Sequence, residues 1–71
     1  MSTPVKRSIV VSGHRTSVSL ESPFWEVLIQ IATERNVSLN RLITEVDRQR
    51  DGNLSSALRI YALKWLQEYR A

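Results

Sequence analysis

Cysteine is absent from this chain, and histidine occurs once, at His14. Disulfides are therefore excluded, and a structural zinc site lacks its usual ligands. Neither of the two glycines opens a phosphate-binding loop signature. No stretch approaches the ~18 continuous apolar residues that a membrane helix needs. Near the N-terminus the apolar run is only Ile9-Val10-Val11, too short for the core of a signal peptide. A cytoplasmic location, away from membranes, is expected. The reactive inventory is equally thin. The serines fall in cap, turn and strand positions without a glycine-rich elbow around them. Glu45 and Asp47 lie two apart on a predicted helix and so face different directions. The chain reads as a non-enzyme that needs no cofactor and no metal, with His14 as a turn or surface residue.

What is present is one small domain. A chain of 71 residues buries only about 60% of the surface its unfolded form exposes, so its stability is marginal without help. With disulfides and metals set aside, oligomerisation remains. The apolar share of 42% argues against disorder. Net charge is +3, and its placement says more than its size. Residues 1–20 hold Lys6, Arg7 and Arg15 and no acid, whereas the rest of the chain is balanced. A basic N-terminal stretch of this kind is either a solvated tail or an electrostatic footprint for phosphate.

Along the chain, residues 1–7 read as a flexible basic arm, residues 8–52 as the main domain and residues 53–71 as an added helix. Ile9, Val10 and Val11 form a β-favouring run that Ser12-Gly13 ends. That run either extends the next strand or folds back on it as a hairpin. From Thr16 to Leu20 the pattern alternates, with Thr16, Val18 and Leu20 on one face and Arg15, Ser17 and Ser19 on the other. Ser22 is a candidate N-cap with Pro23 behind it, which starts a first helix. Phe24, Val27, Leu28, Ile31 and Ala32 carry that helix's inward stripe, and Asn36 is a left-handed stop. Ser38 caps a second helix, whose buried face is Leu39, Leu42, Ile43 and Val46, ending near Asp51-Gly52. A third runs from about Asn53 to Tyr69. Its main stripe includes Leu54, Leu58, Ala62 and Trp65, while Ile60, Leu63 and Leu66 lie off it. A helix apolar over most of its girth packs on more than one side, which suggests a second subunit. Both tryptophans read as core or interface residues, since no interleaved aromatic and basic strand accompanies them.

The strand Thr16–Leu20 cannot satisfy its own backbone groups. The same strand of a second chain is its expected mate, giving an antiparallel ribbon narrow enough for the DNA major groove. The alternative keeps three helices as a helix-turn-helix with residues 8–20 disordered, and the alternation argues against it.

The stretch "RTSVSLESPFWEVLIQIATERNVSLNRLITEV", Arg15 to Val46, resembles the ribbon-helix-helix family of bacterial DNA-binding proteins. With "HRTSVSLE", "FW", "SLNRLI" and "NLSSALR", the similarity to small members with an appended third helix extends over roughly residues 6–70. The resemblance implies a mainly α fold: an intertwined homodimer, a short β-strand from each chain, then three helices. It implies base contacts from Arg15, Ser17 and Ser19. It also implies backbone contacts at the start of the second helix, at Ser38, Leu39 and Asn40, where free N–H groups favour an anion. Lys6 and Arg7 are candidate phosphate contacts through their charge. Thr16, Val18, Leu20, Phe24, Leu28, Ile31, Leu42, Ile43 and Val46 are assigned to the dimer core. Ser17 and Ser19 are shorter than the family's usual ribbon residues, so Arg15 alone has the reach to hold a guanine bidentately. The expected function is that of a transcriptional regulator, a repressor, with double-stranded DNA and a second copy of the chain as partners. The alternative is an antitoxin-like module whose C-terminal helix takes a toxin or another protein.

Overall fold

A computed structural model describes residues 3–70; residues 1 and 2 of the expected arm, and Ala71, lie outside the described residues. The element order is β1 (Pro4–Val11), β2 (His14–Glu21), α1 (Ser22–Arg35), α2 (Leu39–Gln49) and α3 (Leu54–Arg70). A two-stranded antiparallel ribbon thus precedes three helices.

The two strands are joined by Ser12-Gly13, with φ of +51° and +82°. Positive φ at both central positions is what a tight type I′ hairpin turn demands, and its twist matches that of the flanking strands. The turn settles the alternative left open by the sequence: residues 8–11 fold back as a hairpin. It also supplies an in-chain mate for β2 and corrects the extent of the arm. The mate of β2 in this structure is β1 of the same chain, in register from Val11 opposite His14 to Pro4 opposite Glu21. And residues 4–7 are strand, not arm, because β2 offers them an edge to pair with.

Below the ribbon the helices start and stop largely where local chemistry dictates. α1 has Pro23 in its first turn, but its N-cap is Glu21, one residue before the expected Ser22. It ends on Asn36, at φ +59° and ψ +42°, a left-handed geometry that asparagine tolerates better than most residues. The Ser38 hydroxyl accepts from the Arg41 N–H at 3.0 Å and caps α2 as expected. α2 stops at Gln49, just short of the expected end, and Asp51-Gly52 forms the turn beyond it. Asn53 Oδ1 accepts from the Ser56 N–H at 3.1 Å and opens α3.

The core lies between ribbon and helices and closes within one chain. Leu20, Leu28, Ile31, Leu42, Ile43 and Leu58 are fully buried, with Ile9, Val11, Val18, Trp25, Ala32, Val46 and Ala62 around them. Of the residues assigned from sequence to a dimer core, Thr16 and Phe24 are half-buried and the rest are buried here in a single chain. Burying a leucine fully contributes roughly 1.5–3 kcal/mol, so these six side chains carry much of the favourable term. On α3, Leu58 and Ala62 face inward, and Tyr69 stacks on Trp65 at a 4.9 Å centroid distance. Ile60 and Leu63, on the opposite side, remain exposed.

Candidate nucleic-acid interface

In an antiparallel ribbon, residues directly opposite share a face. The register sets Lys6 opposite Ser19, Ser8 opposite Ser17 and Val10 opposite Arg15. All six are exposed, and together they make the ribbon's outward face. The inward face carries Ile9, Val11, Val18 and Leu20, which are buried on the helices. The partition of β2 read from the alternation, with Arg15, Ser17 and Ser19 outward, is the observed one. Ser8 and Val10 were not foreseen as their neighbours. Only the register reveals them.

Lys6 and Arg7, grouped by charge in the sequence, stand on opposite faces. Arg7 lies opposite Val18, on the helix side. Its guanidinium sits over the ring of Trp25, 5.4 Å from the centroid, where the aromatic face attracts a cation. Trp25 in turn donates its indole N–H to the Val5 carbonyl at 2.9 Å. Lys6, between these two pinned residues, points outward beside Ser19.

Glu21 is the acid that β2 brings to this neighbourhood, at the strand's last position. Arg59 of α3 holds it with two hydrogen bonds, Nε to Oε1 at 3.0 Å and a second guanidinium N–H to Oε2 at 3.3 Å. The Arg59 hydrogen bond, and then a backbone one, hold the Glu21 carboxyl below the usual carboxylate range. Arg59 also lies over Phe24, 5.8 Å from its centroid. The two acids of α2 are similarly engaged. Glu45 pairs with Arg35 and Arg41, and Asp47 with Arg50. Lys6 and Arg15 therefore set the sign of the ribbon's outward face.

At the start of α2, Ser38 and Asn40 are exposed and Leu39 is half-buried. The Ser38 hydroxyl is occupied with its own cap, so what this end offers an anion is the free N–H groups of the first turn. α2 packs against β1, on the same side of the ribbon as the rest of the core. His14, exposed at the turn, borders a shallow polar groove with Thr16, Arg50, Asn53 and Ser55. Among the described residues no helix is long and apolar enough to cross a membrane, and no cluster of potential ligands could hold a metal ion.

A family model described as a ribbon-helix-helix domain matches residues 4–66. Among solved structures, an uncharacterized protein from Bordetella pertussis Tohama I superposes with a TM-score of 0.78 at 31% sequence identity. The match covers 92% of this chain and 57% of that one, so the chain spans little more than half the length of this structural relative. No curated protein sequence matches the chain.

Proposed function

The chain belongs to the ribbon-helix-helix family, and on that footing we propose that it binds double-stranded DNA as a homodimer and represses transcription from the sites it occupies. The observation that carries this reading is the outward face of the hairpin. Its exposed side chains are Lys6, Ser8, Val10, Arg15, Ser17 and Ser19, basic or small, on a support only two strands wide. A B-DNA major groove about 12 Å wide admits a two-stranded ribbon. Each chain brings a two-stranded ribbon of its own.

In this reading Arg15 takes a guanine edge, the hydroxyls of Ser17 and Ser19 bond to base edges with little discrimination, and Lys6 meets the backbone. Ser38, Leu39 and Asn40 present backbone N–H groups to a phosphate. Sequence preference is then modest per subunit, and pairing two copies on an inverted repeat raises it. Self-association is supported by the large apolar side chains the chain leaves in water, Ile60 and Leu63 on α3 at 53% and 51% exposure and Ile29 on α1. A bacterial regulator of this kind works in the cytoplasm, where its DNA is.

The same α3 side chains favour a second reading, an antitoxin-like module that takes a toxin or other protein there. Against it, α3 is built into the core through Leu58 and Ala62. Incubating the protein with a random duplex library at near-physiological salt, then sequencing what is retained, tests the proposal. An inverted repeat supports a dimeric regulator. Retention without a motif leaves a backbone-reading role, and no retention overturns DNA binding in favour of the protein-partner reading.

A further inference from the structure

We propose that Trp25 is a positioning residue for DNA binding: it closes the open end of the hairpin and thereby aims Lys6 at the DNA backbone. The inference rests on the DNA-binding reading above and deepens it.

A hairpin is held at its turn and frays at its open end, where each strand has fewer neighbours. Here the open end pairs Pro4 with Glu21 and Val5 with Leu20. Pro4 has no N–H to give to the ladder. β2 is secured there because it runs directly into α1, but β1 begins there. Trp25 lies in the first turns of α1 and is 4% exposed. Its Nε1–H bond to the Val5 carbonyl is the one side-chain hydrogen bond that reaches β1 among the described residues. The same indole carries the Arg7 guanidinium over its face. One buried side chain thus holds residues 5 and 7. Because strand side chains alternate, fixing both neighbours on the helix side turns Lys6 to the opposite side, next to Ser19. Lys6 has no ion pair among the described residues to orient it otherwise.

The test compares the full-length protein with Trp25→Phe, Lys6→Ala and the double variant, at a temperature where all are folded. Amide hydrogen exchange is read at Val5 and Arg7, and affinity is measured for a duplex the wild type selects. Trp25→Phe keeps an aromatic ring and loses the N–H donor. It should speed exchange at Val5 and Arg7 by about tenfold, as the loss of one hydrogen bond of ordinary strength would, and leave the α2 and α3 amides unchanged. It should weaken DNA binding by no more than Lys6→Ala does, and the double variant should bind no more weakly than Lys6→Ala alone. Unchanged exchange, or losses that multiply in the double variant, would overturn the proposal. Should Trp25→Phe fail to fold, Arg7→Ala leaves the buried indole in place and should loosen the same two amides; no change there would equally overturn it. If the wild type retains no duplex, the DNA reading and the role of Lys6 fail together, while the exchange result still decides whether Trp25 closes the ribbon.

Discussion

Arg59 grips Glu21 with both ends of its guanidinium, at 3.0 and 3.3 Å, across a sequence separation of 38 residues. The contact ties the last helix to the end of the ribbon, and it also cancels an acid beside the face that would meet phosphate. Removing Arg59 should therefore do more than loosen α3. In Arg59→Ala the Glu21 carboxylate stands uncompensated near Lys6 and Ser19, and DNA affinity should fall. Adding Glu21→Gln to that variant should restore most of the lost affinity, although the contact itself stays broken. Fluorescence anisotropy on a selected duplex checks this. Equal affinities for the single and double variants would show that Arg59 acts only through packing.

The same pair sets part of the response to acid. Glu21 and Glu45 both have carboxyls held below the usual range, by Arg59 and Arg35 respectively. A depressed folded-state value means that the stabilisation is complete above the unfolded value and disappears as pH falls through the folded one. Thermal stability should then stay flat from pH 7 to about pH 5 and decline below about pH 4, where unfolded carboxylates have taken up protons. Glu21→Gln and Glu45→Gln together should flatten that decline in a thermal-melt series. Both pairs are substantially exposed, so the effect is small and weakens further in salt.

Arg15 is the outward side chain with five donors in a fork, opposite Val10 and near the turn. Arg15→Ala should cost about 1–3 kcal/mol of binding to the selected duplex and relax the preference at one base position. Repeating the library selection with the variant reads both effects. A uniform loss over all sequences would assign Arg15 to a phosphate instead.

Salt dependence separates Lys6 from Arg7. With Lys6 from two copies on the backbone and Arg15 on base edges, the slope of log K against log salt should be about −1.8, and a slope near −3.6 would put Arg15 on phosphates too. A slope near −5 would require Arg7 as well, against its place over Trp25 on the helix side. Lys6→Ala should flatten the slope by about 1.8 in the dimer.

How much of this was legible in the sequence follows the strength of local patterning. Thr16, Val18 and Leu20 alternate cleanly with Arg15, Ser17 and Ser19, so both faces of β2 could be assigned without a structure. Ser38 and Asn36 carry their cap and stop chemistry within three or four residues of where it acts. Of β1, Ile9, Val10 and Val11 were legible as a β-favouring run with a hairpin as one of two alternatives, whereas Pro4–Arg7 was not legible as strand, and the reason is physical. Its inward face includes Arg7 and its outward face Val10, at 44% exposure, so the apolar signal is blurred on both faces of the strand. A charged residue sits on the inward side because an indole ring lies beneath it. That is a tertiary fact, as are the Trp25–Val5 and Arg59–Glu21 contacts, each between residues at least 20 positions apart. The in-chain mate of β2 was missed for the same reason: Pro4–Val11 pairs along one edge of β2 within the chain, a contact that the blurred pattern of β1 does not announce.

The hairpin turn gives the most direct test of that in-chain ribbon. Gly13 has φ +82°, and a β-carbon built there meets nothing within 4 Å. Any cost of Gly13→Ala is thus backbone strain rather than a clash, about 1–2 kcal/mol. For a domain of this size that lowers the melting temperature by roughly 4–8 °C per kcal/mol. Ser12, at φ +51°, occupies the other central position, and Ser12→Asn should move the melting temperature upward because asparagine enters left-handed conformations more readily. The two substitutions should shift stability in opposite directions only if residues 12 and 13 form a tight turn. In an extended ribbon strand shared with a second chain, neither position has positive φ. There Gly13→Ala would be neutral or mildly stabilising, since alanine restricts the unfolded chain. Differential scanning calorimetry on the two variants decides between these geometries.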